Sequence, residues 1–95
     1  MNRSFYLERF CNIIVKAELE YVLYCFGDEL GKIENYPENI NGIDSIHLYL
    51  SKKYGWSLNK CRKISISDLY ALLHVEMLDW SLPDSAVFNI ELPND

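Results

Sequence analysis

Residues 4–26, SFYLERFCNIIVKAELEYVLYCF, decide the fold class of this chain. Phe5, Phe10, Ile13, Ile14, Ala17, Tyr21 and Tyr24 or Cys25 recur at spacings of three to five, with Leu7 and Val15 beside them. That period predicts a helix with a broad buried face, opened by Ser4 as N-cap. The end of the stretch, Glu20 to Phe26, is rich in β-formers and has a competing reading as a strand. Its partner would be Ala86 to Leu92, where Val87, Asn89 and Glu91 alternate with Phe88, Ile90 and Leu92. Lys16-Ala-Glu-Leu-Glu20 favours helix locally, so the helical reading is preferred.

Outward from this segment the signals are helical. Asn35 to Gly42 holds Pro37, three Asn and one Gly, and reads as a loop. Ile43, Ile46, Leu50 and Tyr54 follow a helical period, with Asn41 as candidate cap and Gly55 in the C′ position. Trp56-Ser57 opens a short turn of helix through Leu58 and Cys61. Ser65-Ile-Ser-Asp68 is a capping box with Asp for Glu, flanked by Ile64 and Leu69 as a hydrophobic staple. Leu69, Leu72, Leu73, Met77 and Trp80 then share a face, and Pro83 stops the helix. Gly27, Gly31, Gly42 and Gly55 read as helix punctuation. The expected fold is mainly α: residues 1–95 form a single-domain bundle of four to five helices, with α+β, through a short C-terminal strand pair, as the alternative.

Composition bounds the function. The 95 residues carry 9 Lys+Arg against 14 Asp+Glu, a net charge of −5, with 49% apolar and 24% charged residues. These values fit an ordinary globule and exclude a disordered chain, a two-domain enzyme and a basic nucleic-acid binder. The longest apolar run, Tyr21 to Phe26, is far shorter than the ~18 residues of a spanning helix. Arg3, Glu8 and Arg9 interrupt the place where a signal peptide carries its apolar region. A cytoplasmic protein is therefore expected, with Cys11, Cys25 and Cys61 as buried, reduced thiols.

The motifs of catalysis and metal binding do not occur. There is no C-x-x-C, H-x-x-x-H, H-E-x-x-H, P-loop or nucleophile elbow. His47 and His74 read as ordinary structural or surface residues. Cys61 lies between Lys60 and Arg62, which lower a thiol pKa, but no motif recruits it. Lys52 to Lys63 raises a helix-turn-helix reading. The helix after that turn carries Asp68, Glu76 and Asp79 and no Lys or Arg, which argues against docking in a major groove. The expectation is a protein without catalytic residues, cofactor or metal.

Charge is laid out in blocks. Residues 1–16 net +2, residues 17–44 net −6, residues 45–63 net +5 and residues 64–95 net −6. The blocks either pair with one another or form a face of one sign that steers a basic partner. Basic partners of small acidic proteins are commonly proteins that hold nucleic-acid phosphates. Exposed aromatics among Trp56, Trp80, Tyr36, Tyr49 and Tyr70 would supply anchors for such an interface.

In size, acidity, surplus aromatics and lack of catalytic motifs the whole chain resembles the immunity proteins of bacterial toxin systems, of the contact-dependent growth inhibition or colicin type. The resemblance implies a partner that is a basic toxin domain, often a nuclease, bound by acids and aromatics. The matching acids here are Glu18, Glu20, Asp28, Glu29 and Glu34, or Asp68, Glu76, Asp79 and Asp84. It implies no direct contact with nucleic acid or membrane, and a monomer or weak dimer. A second resemblance covers Tyr54 to Leu73, whose helix, turn and capped helix look like those of phage tail-assembly proteins. It implies a structural or assembly adaptor.

Overall fold

Helices account for the architecture in the computed structural model, which describes residues 2–89. In chain order they are α1 (Arg3–Ile33), α2 (Gly42–Tyr54), α3 (Leu58–Arg62), α4 (Ile66–Leu72) and α5 (His74–Met77), followed by a 3-10 turn at Asp84–Ala86. The mainly α class is thus what the chain adopts, and no strand occurs among the described residues. Glu20 to Phe26 is helical throughout. Ala86 closes the 3-10 turn and residues 87–89 form no strand, while Ile90 to Leu92 lie outside the described residues.

Local chemistry explains most helix ends. Ser57 and Ser65 are the N-caps of α3 and α4, accepting the N–H of Lys60 and of Asp68 at 3.1 and 3.2 Å. Gly55 follows α2 in the left-handed conformation, φ +71°, where an L side chain is strained. α1 starts earlier than its sequence suggests. Asn2, not Ser4, is the N-cap and accepts the Phe5 N–H at 2.9 Å. Its far end closes in a Schellman motif. Asn35 takes φ +58°, its N–H reaches the Lys32 carbonyl, and the Tyr36 N–H reaches the Gly31 carbonyl.

Two further expectations are corrected by packing. Gly27 and Gly31 do not punctuate α1; they lie inside it, where it crosses α2. A Cβ on Gly27 would sit 1.9 Å from the Gly42 carbonyl oxygen, and one on Gly31 would sit 3.1 Å from the Ser45 hydroxyl. The helix expected from Leu69 through Trp80 is broken at Leu73, whose backbone leaves the helical region at φ −100°, ψ 9° while its side chain is fully buried. Core insertion of Leu73 thus prevails over helix continuity.

The core is one cluster: Leu23, Phe26 and Leu30 of α1, Ile46 and Leu50 of α2, Cys61, Leu69 and Leu73. Trp80 meets Phe26 edge-on at 5.2 Å between centroids, which folds the C-terminal region back onto α1. Leu23 is the first buried residue of α1. Residues 3–22 carry none, so the broad buried face expected over Ser4 to Phe26 is not buried. The remaining helices are short and cover only the last third of α1. Of the three cysteines only Cys61 is buried, against the expectation of three; Cys11 and Cys25 are half-exposed, and all three are free thiols. No helix among the described residues is long and apolar enough to cross a membrane.

Candidate protein-interaction surface

The N-terminal part of α1 projects as an arm. At about 1.5 Å per residue its 31 residues span roughly 46 Å, matching the 48 Å long axis of the molecule. On this arm Leu7, Ile14 and Tyr21 are seven residues apart, as are Phe10, Ala17 and Tyr24. These are the a and d positions of a heptad pattern. At about 100° per residue, this stripe lies on roughly the opposite side of the helix from Leu23, Phe26 and Leu30. On the core-facing side of the arm Glu8, Asn12 and Lys16 alternate with Phe5 and Leu19, and none of these is buried. α1 therefore carries two apolar faces in succession, and the bundle covers the second.

The first face is accessible. Tyr6, Phe10, Ile13 and Tyr21 are 54%, 41%, 59% and 39% exposed. Leu7, Cys11 and Ile14 are half-buried by their own helical neighbours. Arg9 stacks over the Phe5 ring at 4.5 Å, off the stripe.

Where the arm leaves the bundle, two contacts fix it. The Tyr70 hydroxyl donates to the Leu19 carbonyl at 3.0 Å from α4. The Tyr21 hydroxyl donates to the Ala86 carbonyl at 2.5 Å. The Phe88 ring lies 6.5 Å from that of Tyr21. Ala17, Glu18, Tyr21 and Phe88 thereby enclose a shallow recess of about 300 Å³. The small Ala17 side chain leaves the space, and Glu18 puts a carboxylate at its edge.

The nine candidate acids do not converge. Glu18 and Glu20 sit exposed on the arm. Asp28 serves the fold, its carboxylate accepting the Gly42 N–H at 2.8 Å and so capping α2 from α1. Asn41, the expected cap, instead donates to the Glu38 carbonyl. Glu29 is half-buried and Glu34 is exposed at the C-cap of α1. Glu76 is half-buried and bonded to the Lys53 ammonium at 3.1 Å. Burial pushes its carboxyl up, but hydrogen bonds from Lys53, its own backbone and Tyr49 outweigh this and hold it below its ordinary 4.5. Asp68, Asp79 and Asp84 are exposed on α4, after α5 and in the 3-10 turn.

The basic block is laid over aromatic rings. Lys52 lies over Tyr36, Lys53 over Tyr49 and Tyr54, and Lys60 over Trp56 at 4.4 Å. Lys53–Glu76 joins the second basic block to the last acidic one.

His47 is buried, with Nδ1 lacking a hydrogen-bond partner. Burial lowers its pKa from 6.5; nearby Asp44 opposes this and Arg62 adds to it. His47 adjoins a shallow depression of about 190 Å³ with Asp44 and Arg62 at its wall. No group of three or more His, Cys, Asp or Glu side chains gathers into a metal-binding arrangement among the described residues.

The stripe and Phe88 were not singled out as a surface by sequence reasoning. The signal was present: Glu8, Asn12 and Lys16 interrupt, between Phe5 and Leu19, the side that becomes core at Leu23. A helix whose polar side turns into its core side has two different environments. No protein-family model, curated protein or solved structure matches this chain.

Proposed function

We propose that this chain is a non-enzymatic protein-binding module that neutralises a basic protein, as the immunity proteins of toxin systems do. The observation carrying this reading is the α1 arm, whose exposed apolar stripe is edged by the Glu18 carboxylate. An amphipathic helix of this kind fits a groove in a partner and anchors there at residues spaced i, i+3, i+4 and i+7. Tyr6, Phe10, Ile14 and Tyr21 supply the contact area. Glu18, at the edge of the stripe, meets the partner's Lys and Arg side chains and stands where nucleic-acid phosphates would bind, with Glu20 at the periphery of the contact. Occlusion of a toxin nuclease's substrate groove is the resulting mechanism.

The test is capture from source-cell lysate at low and high salt, using the tagged protein and a Glu18→Lys/Glu20→Lys variant. The expected result is a single basic nuclease, inhibited on binding, and released by salt and by the variant. Reversing a carboxylate in a desolvated charge pair weakens binding by about 2–5 kcal/mol. Retention indifferent to both salt and charge reversal would overturn the electrostatic mechanism. It would favour the second reading, an assembly adaptor, which the heptad spacing of the arm supports.

A further inference from the structure

The arm exposes an apolar patch large for a chain of this size. The accessible parts of Tyr6, Phe10, Ile13 and Tyr21, with Leu7, Cys11 and Ile14, come to roughly 550 Å². That area is near the upper limit of the largest patch on an ordinary monomer. We infer that the stripe is covered by the same stripe of a second copy, in an antiparallel two-helix pair whose two-fold axis passes level with Asn12. The inference stands whichever protein the chain captures. Because it uses the surface proposed for capture, pairing and capture exclude one another.

Three features fix the occupant and its direction. First, the layers match in size. With the axis at Asn12, Phe10 packs on Ile14 of the second copy, and Leu7 packs on Ala17 of the second copy. The two-fold repeats each layer. Leu7 thus enters the recess that Ala17, Glu18, Tyr21 and Phe88 leave open. A parallel pair in register would instead set Ala17 against Ala17 and leave that space empty.

Second, the charges run oppositely along the arm. Arg3, Glu8 and Arg9 net +1 near its start, and Lys16, Glu18 and Glu20 net −1 near its end. Antiparallel pairing brings the positive start, with its helix dipole, level with the acids of the other copy. Parallel pairing would align Glu18 and Glu20 with their own copies.

Third, the area agrees with a weak dimer. Roughly 1,100 Å² over both copies lies just below the ~1,200 Å² at which stable standard interfaces begin. A concentration-dependent pair is expected, not an obligate one. The two bundles then lie at opposite ends of the paired arms.

Sedimentation velocity of the full chain over a concentration series tests this. The expected result is a species of twice the 11.2 kDa chain mass that grows with concentration. Ile14→Asp puts a charge in the central layer and should weaken association by at least about tenfold. Tryptophan emission, from Trp56 and Trp80, reports whether the bundle stays folded. If Ile14→Asp unfolds it, Ala17→Glu decides instead, since Glu is a good helix former that fills the recess with charge.

Direction is read with a short bis-maleimide. Cys11 lies beside the axis and should cross-link to Cys11 of the second copy. Cys11→Ser should abolish the product and Cys25→Ser should keep it. A chain that stays monomeric at every concentration overturns the inference. So does a dimer indifferent to the folded stripe variant, or one cross-linked through Cys25 to Cys25.

Discussion

Gly27→Ala separates helix propensity from tertiary packing. Inside an isolated helix, replacing Gly by Ala stabilises by about 1 kcal/mol. Here the new Cβ would stand 1.9 Å from the Gly42 carbonyl oxygen and 2.6 Å from its carbon. Both neighbours are backbone, so the helices themselves must part by on the order of 1.5 Å to restore van der Waals contact. Overpacking of this kind costs about 1–3 kcal/mol. Separation also stretches the 2.8 Å bond from the Gly42 N–H to the Asp28 carboxylate. Losing a hydrogen bond to a charged group costs a further ~1.5–3 kcal/mol. Net of the propensity gain, destabilisation should be about 1.5–5 kcal/mol, which for a domain this size lowers Tm by roughly 6–40 °C. Thermal and urea unfolding followed by circular dichroism and tryptophan emission measure it. A variant as stable as the parent, or more stable, would refute the close α1–α2 crossing.

Three further outcomes follow from the same contacts. Asp28→Ala should cost about 1–3 kcal/mol by leaving the Gly42 N–H unpaired, read as a lower urea midpoint with unchanged m-value. Ser65→Ala removes the acceptor for the Asp68 N–H and should cost about 1 kcal/mol in the same assay. Burial holds the His47 pKa below its ordinary 6.5, so protonation favours the unfolded chain. This contribution is fully present above pH 6.5 and is lost as pH falls through the lowered value of the folded state. Stability should therefore drop as pH falls below 6.5, and His47→Leu should flatten that slope. Glu76, held below 4.5, adds its own loss only at lower pH.

The local punctuation of this fold was legible in the sequence. Ser65 with Asp68, Ser57 before Leu58, and Gly55 after Tyr54 mark their helix ends where sequence reading puts them. Such signals work because capping acts within three or four residues and needs no distant partner. Asn35 carried an equally local signal that a left-handed Asn can end a helix. Gly27 and Gly31 misled for the converse reason. Glycine loosens a helix by its own conformational freedom, but it also admits a second backbone, and only the position of Gly42 and Ser45 distinguishes the two uses. Leu73 likewise breaks a helix whose sequence pattern runs on, because the core takes its side chain.

The candidate surface divides the same way. The heptad spacing of Leu7, Phe10, Ile14, Ala17 and Tyr21 is written in the chain, and so is its helicity. Whether that stripe is core or surface is not, because apolar periodicity states that a face seeks cover without stating what covers it. The sequence by itself determined that the chain is helical, where α2 begins and ends, and where α3 and α4 begin. The tertiary structure decided which side of α1 the bundle takes: the short helices after Asn35 reach only the face bearing Leu23, Phe26 and Leu30, and the arm before it keeps its apolar stripe in the open.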